Sequence, residues 1–192
     1  MKLMESLSGR RAVRDFLPEP VDAEVLLELV KAASNAPSYL NQQPWSFSLS
    51  AEPATVSELS RRAKQHLLAS LRRRSPFFGQ REQLKAPEHE LFYGAPALIV
   101  VCATQTGALA DAGCAMAAYA IMLAAHSMGL GSCWVSTALP WLDSSDGRKA
   151  LGIPPDYRPI APIILGGPAG APLSPGRFEP RVHWIPQAAA PA

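Results

Sequence analysis

Apolar residues recur along this chain in two rhythms, and each rhythm predicts an element. Val25, Leu26, Leu29, Val30 and Ala33 are spaced three and four apart, the mark of one buried helix face. Asp22 stands ahead of them as an N-cap, and the helix is expected to end near Asn35-Ala36-Pro37, because proline disfavours helical backbone in the residue before it. Trp45, Phe47 and Leu49 then alternate with Ser46, Ser48 and Ser50, the period of a half-buried strand. Thr55-Val56-Ser57-Glu58 has the form of a capping box. It predicts a second helix with Leu59, Ala63, Leu67 and Leu71 inward and a basic outer face ending in Arg72-Arg73-Arg74.

From Ser75 to Gly94, Pro, Gly and charge are mixed, and the segment reads as a mobile excursion with room for a short helix. The run Ala97 to Ala103 is apolar throughout, as in a strand covered on both faces. The longest helix is expected from Ala108 to Met128, with Gly129 stopping it. Its length approaches a membrane span, but Asp111, His126 and Ser127 interrupt it and alanine dominates, so it reads as a core helix. Small side chains also let another backbone come close, which suits a helix at the centre of a dimer. Cys133 to Ser136 reads as a third strand, Ser144 to Leu151 as a short helix, and Ile160 to Leu165 as a fourth strand. Pro162 should confine that last strand to an edge or a bulge. Helices alternating with strands give an α/β or α+β class.

Composition changes this picture in few places. The 192 residues suit one domain with a real core. A net charge of +2 gives no reason to expect a nucleic-acid or membrane partner. Arg72-Arg73-Arg74 lacks the interleaved aromatics of a nucleic-acid surface. Ten of the 19 prolines lie between Pro154 and Pro191, so the C-terminal part should be largely extended arm and loop, with 187–192 a disordered tail. Cys102, Cys114 and Cys133 form neither a CxxC pair nor a Cys/His cluster, so neither a disulfide framework nor a metal site is expected. The N-terminus shows no apolar signal-peptide core, and a reducing cytoplasm is the expected compartment.

Four segments could carry chemistry. Arg10, Arg11 and Arg14 fall within five residues. Guanidinium forks match the oxygen pairs of a phosphate, although such a run is also what a solvated N-terminus looks like. In Ala36-Pro37-Ser38-Tyr39-Leu40-Asn41-Gln42-Gln43-Pro44-Trp45, two prolines bracket amide side chains. Those amides could read the edge of a planar heterocycle or simply close a turn. Gly129-Leu130-Gly131-Ser132-Cys133-Trp134-Val135-Ser136-Thr137 places two glycines at a helix end, where backbone can approach something flat or make a tight turn. Arg177 and Arg181 lie in the proline-rich arm ahead of His183-Trp184.

In this order and spacing the four segments, with Leu151-Gly152-Ile153-Pro154 and Leu165-Gly166, resemble the FMN-dependent nitroreductase family from about Leu7 to Trp184. The resemblance implies an α+β three-layer sandwich: a mixed, mostly antiparallel sheet flanked by helices, in an intertwined homodimer with FMN at the subunit interface. It implies one domain over 1–186, with 75–91 as a lid-like roof and 172–186 as an extended C-terminal arm. Arg10, Arg11 and Arg14 would hold the FMN phosphate and ribityl chain, with Arg177 reaching the phosphate from the arm. Ala12 stands where relatives usually carry serine, so one hydroxyl contact worth about 1 kcal/mol is missing.

Pro37, Ser38, Tyr39 and Asn41 would reach the flavin from the other subunit, Tyr39 being bulkier than the usual residue there. Trp134, Val135, Ser136 and Thr137 would lie beside the ring, with Ser136 and Thr137 as candidate contacts to N5. The implied activity is NAD(P)H oxidation coupled to reduction of nitroaromatics, quinones or related small acceptors. Hydride would pass through flavin N5 in a ping-pong cycle, without a catalytic side chain or a metal. A specialised flavin reductase or dehalogenase on the same scaffold, or a flavin-storage module, are the alternatives.

Overall fold

The computed structural model describes residues 2–75, 77–172, 174 and 176–185; the tail expected at 187–192 lies outside them. Its sheet has four strands, β1 (Trp45–Ser50), β2 (Ala97–Ala103), β3 (Gly131–Trp134) and β4 (Arg158–Gly166), in the order β1-β2-β4-β3 and antiparallel throughout. A parallel bridge between Ala12 and Ser132 adds the N-terminal segment to the outer edge of β3 and makes the arrangement mixed.

Seven α-helices are described: α1 (Leu3–Gly9), α2 (Ala23–Ala33), α3 (Pro53–Ser70), α4 (Arg81–Lys85), α5 (Ala108–Ser127), α6 (Leu139–Leu142) and α7 (Ser145–Ala150). Strand side chains alternate between faces, and on β2 this divides the core cleanly. Leu98, Val100 and Cys102 pack with Val56, Leu59, Ala63 and Leu67 of α3 and Trp141 of α6. Ala97, Ile99, Val101 and Ala103 pack with Leu26 and Leu29 of α2 and Cys114, Ala117 and Ile121 of α5. Two cores on opposite faces of one sheet make the three layers.

α5 is long and apolar enough to cross a bilayer by length and composition. Its Cys114, Ala118, Ile121 and Ala125, however, are fully buried in the layer it forms with α2, as a core helix requires. It ends in a Schellman motif: the Leu130 amide donates to the Ala125 carbonyl at 2.8 Å, the Gly129 amide to His126 at 3.1 Å, and Gly129 takes φ +81°.

Several local expectations are corrected. α3 begins at Pro53 with Glu52 as N-cap, so Thr55 lies inside the first turn and the capping box does not form. Proline at a helix start brings its φ preset and a missing N–H that needs no partner there. β4 is an interior strand, not an edge, although its pairing with β2 does shift register at Ile160, two residues before Pro162. The Pro162 carbonyl accepts the Val135 amide at 2.9 Å, so proline's donorless nitrogen also faces β3. Pro162 cannot return a bond to Val135, which is why β3 ends at Trp134 rather than running to Ser136. Ser136–Ala138 turns instead into a 3₁₀ helix leading to α6.

The segment after α3 is anchored over its second half, from Leu84 to Phe92. Lys64 Nζ donates to the carbonyls of Ala86 and His89, both at 2.7 Å, and the Phe92 amide donates to Ser60 Oγ at 3.0 Å. Leu84, Leu91 and Phe92 are buried.

Gly131 sits tight against the N-terminal segment. A Cβ there would meet Val13 side-chain atoms at 2.8–2.9 Å, so what approaches the glycine within the chain is the branched side chain of Val13. Gly131→Ala is expected to cost about 1–3 kcal/mol by overpacking, read as a lower urea midpoint. An unchanged midpoint would mean that Val13 moves aside freely.

Candidate cofactor site

The N-terminal arginines are placed by backbone pairing. Val13 donates its amide to the Ser132 carbonyl at 3.0 Å, which clips 10–14 along β3. Four residues on, the Leu17 amide bonds Gly167 at 2.8 Å, while the Ala169 amide bonds Asp15 at 3.0 Å. The chain beyond β4 therefore returns alongside the N-terminal segment. Between the two lies a cavity of about 700 Å³ whose walls include Arg10, Arg11, Ala12, Arg14 and Arg177. All four arginines expected at a phosphate, together with Ala12, thus line one space, although Arg177 is separated from Arg10 by most of the chain. Arg181 is not among its lining residues.

The donor set around this cavity is largely uncommitted. Among the described residues none of the four arginines forms a salt bridge. Arg10 Nε is buried without a hydrogen-bond partner, and the Arg10 guanidinium carbon lies 6.0 Å from the centre of the Tyr119 ring. Arg14 is similarly placed 6.0 Å from the Tyr93 ring. Arg11 is the most engaged of the four among the described residues: Nη1 donates to the carbonyls of Ser8 at 2.5 Å and Arg10 at 2.9 Å, while Nε and Nη2 donate to Ser174 Oγ at 3.2 and 3.0 Å. Clustered guanidinium groups without counter-charges fit a phosphate-bearing cofactor such as FMN.

The other expected residues lie elsewhere in the single copy. Val135 is buried, and Trp134 is half-buried with its Nε1 unpartnered. Ser136 is exposed and lines a second cavity, of about 520 Å³, with Phe77, Leu139, Pro140 and Arg158; Thr137 is half-buried in the adjoining 3₁₀ turn. Sequence reasoning missed Arg158, which is paired with Asp111 of α5, because that partnership exists only once the sheet has brought the two together.

Pro37 belongs to a third cavity, of about 810 Å³, with Leu3, Met116 and Tyr119. The rest of its loop stands out from the protomer: Tyr39 is 55% exposed, and Leu40, Asn41 and Gln43 hold φ of +48°, +54° and +47°. Left-handed backbone at three non-glycine residues is strained. Ser38 helps to hold it, its Oγ accepting the Gln43 amide at 2.9 Å.

The cysteines offer no chemistry here. All three are buried, and burial pushes Cys102 up to about 12 and Cys114 up to about 11. Burial also raises Cys133, although Arg14 and Arg10 oppose the rise. Thiol reagents attack the thiolate, so native protein at pH 8 should react negligibly with a disulfide reagent and release three equivalents only in denaturant. Rapid native labelling would contradict this.

The nitroreductase family's sequence model matches residues 7–167, and the chain belongs to that family. A protein of Methanothermobacter thermautotrophicus named as an NADH dehydrogenase/NAD(P)H nitroreductase is 26% identical over 189 residues, covering 95% of this chain and 86% of that one. The 5,6-dimethylbenzimidazole synthase of Rhodospirillum rubrum is 30% identical over 175 residues, covering 83% of this chain and 78% of that one. The crystal structure of a Bacteroides fragilis nitroreductase with bound FMN superposes with a TM-score of 0.82 at 26% identity, covering 97% of this chain and all (100%) of that one.

Proposed function

We propose that this chain is an FMN-dependent oxidoreductase that oxidises NAD(P)H and reduces nitroaromatics, quinones or related small acceptors, with two copies completing each site. The observation that carries the reading is the 700 Å³ cavity lined by Arg10, Arg11, Arg14 and Arg177, whose guanidinium groups lack carboxylate partners among the described residues. In this reading Arg10, Arg14 and Arg177 bind the cofactor phosphate and ribityl chain, and Ala12 leaves room there without adding a bond. Trp134 and Val135 would flank the ring, and Ser136 and Thr137 are the candidate contacts to its N5. Bound FMN supplies hydride transfer; the protein binds it, orients it and leaves one face open to two molecules in turn.

Bare apolar surface supports the homodimer. Met116 and Tyr119 on α5 are each 40% exposed, and Leu3 and Met4 of α1 are more exposed still. In the C-terminal arm Phe178, Trp184 and Ile185 are almost wholly exposed. Side chains of this kind on two extended surfaces call for a partner, and a second copy would bring Pro37, Ser38, Tyr39 and Asn41 to the other protomer's ring. The second cavity, beside Ser136, is the candidate acceptor pocket, with Phe77 as its contribution from the 75–91 roof.

A visible absorption spectrum of the purified protein is the first test. Flavin bands released as FMN on heating, with NADPH oxidation driven by menadione or a nitrofuran, are expected. A colourless protein that cannot be reconstituted with FMN would refute the reading. The likeness to a dimethylbenzimidazole synthase favours, as a second reading, a more specialised flavin reaction on the same scaffold; flavin bound without turnover on general acceptors would select it.

A further inference from the structure

Arg11 differs from its neighbours in having almost all its donors engaged, and the engagement is specific in place. Two bonds run back to the carbonyls of Ser8 and Arg10, at the end of α1, and two run forward to Ser174 on the returning chain. That returning chain is already pinned beyond the cavity's other end, where Leu17 meets Gly167, Phe16 bridges Pro168 and Asp15 meets Ala169. Of the described residues between the two fastenings, Gly170, Ala171 and Pro172 line the cavity, and Arg177, also a lining residue, follows three positions after Ser174.

We infer that Arg11 is a positioning residue: its fork clasps Ser174, closes the strap over the phosphate end of the cavity, and thereby sets Arg177 where it can reach an anion. This rests on the proposal that the cavity takes FMN. Geometry separates the clasp from a direct phosphate contact. A guanidinium that already donates Nε and both terminal nitrogens to the protein has few N–H groups left for a ligand, whereas Arg10 has a partnerless Nε. Among its described residues (170–172, 174, 176 and 177) the strap forms no helix or strand, so the Arg11–Ser174 fastening decides whether Arg177 is held in place.

The experiment is a double-mutant cycle on the FMN-loaded protein, with Arg11→Met, Ser174→Ala and both together, reading FMN release by recovery of free-flavin fluorescence. Each single change is expected to speed release roughly fivefold, the effect of about one exposed hydrogen-bonded contact, and the double change to do no more. Ser174→Thr, which keeps the hydroxyl, should restore the wild-type rate.

Independently of the cofactor, trypsin should cut after Arg177 faster in flavin-free Ser174→Ala than in flavin-free wild type. Additive effects of the two changes, or an unchanged release rate in Ser174→Ala, would overturn the clasp while leaving FMN binding intact. A wild-type protein that binds no FMN would instead refute the functional reading, and the trypsin comparison would still decide whether the strap is fastened.

Discussion

Replacing Arg10 with alanine is expected to weaken FMN binding by roughly 30- to 150-fold. Arg10 is half-buried and lines the cavity with a guanidinium that has neither a carboxylate nor a hydrogen-bond partner among the described residues. Such a group carries a desolvation cost that only an incoming anion offsets. A charge-assisted contact in this setting contributes about 2–3 kcal/mol, and 1.36 kcal/mol corresponds to tenfold in affinity. Fluorescence titration of the flavin-free variant measures the loss, and a raised melting temperature in the absence of FMN should accompany it, because crowded positive charge has been removed. An affinity within threefold of wild type would mean that the phosphate lies elsewhere.

Met116→Glu is expected to abolish both dimer and bound flavin while leaving the protomer folded. Met116 is 40% exposed in a single copy, so the protomer accommodates a carboxylate there without burying it. In a two-fold interface the same substitution occurs twice, and each buried, unpaired charge costs several kcal/mol. Analytical ultracentrifugation should show the monomer, circular dichroism an unchanged helix content, and absorbance at the flavin bands an empty site. A monomer that kept its FMN would show that one protomer suffices and that Pro37, Ser38 and Asn41 have no part in the partner's site. A flavin-loaded dimer would move the interface off α5.

Much of the fold was legible because its signals are local. β2 declared itself by an unbroken apolar run, α2 by its spacing, and the end of α5 by Gly129. The end of β3 was not legible, since it depends on a donor that Pro162 lacks in the neighbouring strand, and proximity in the ladder is not proximity in sequence. α1 was missed because Leu3, Met4 and Leu7 are exposed, which leaves no buried stripe to betray a helix. The capping-box pattern at Thr55 misled for the opposite reason: a proline two residues earlier offered a better start. In the candidate site the residue types were readable from the four segments, but the division of labour was not. Three arginines in a row look alike until the fold gives Arg11 to Ser174 and leaves Arg10 without a partner.

The strap carries a consequence for how the protein is made. Arg11 and Ser174 are 163 residues apart, so the pocket joins two parts of the chain that leave the ribosome well apart in time. Loop closure over that distance comes late in folding. A nascent chain can therefore assemble its sheet and both cores before it has anywhere to hold a cofactor. Loading therefore waits until Ser174 has emerged, and a chain stopped short of it would have both cores without a clasp.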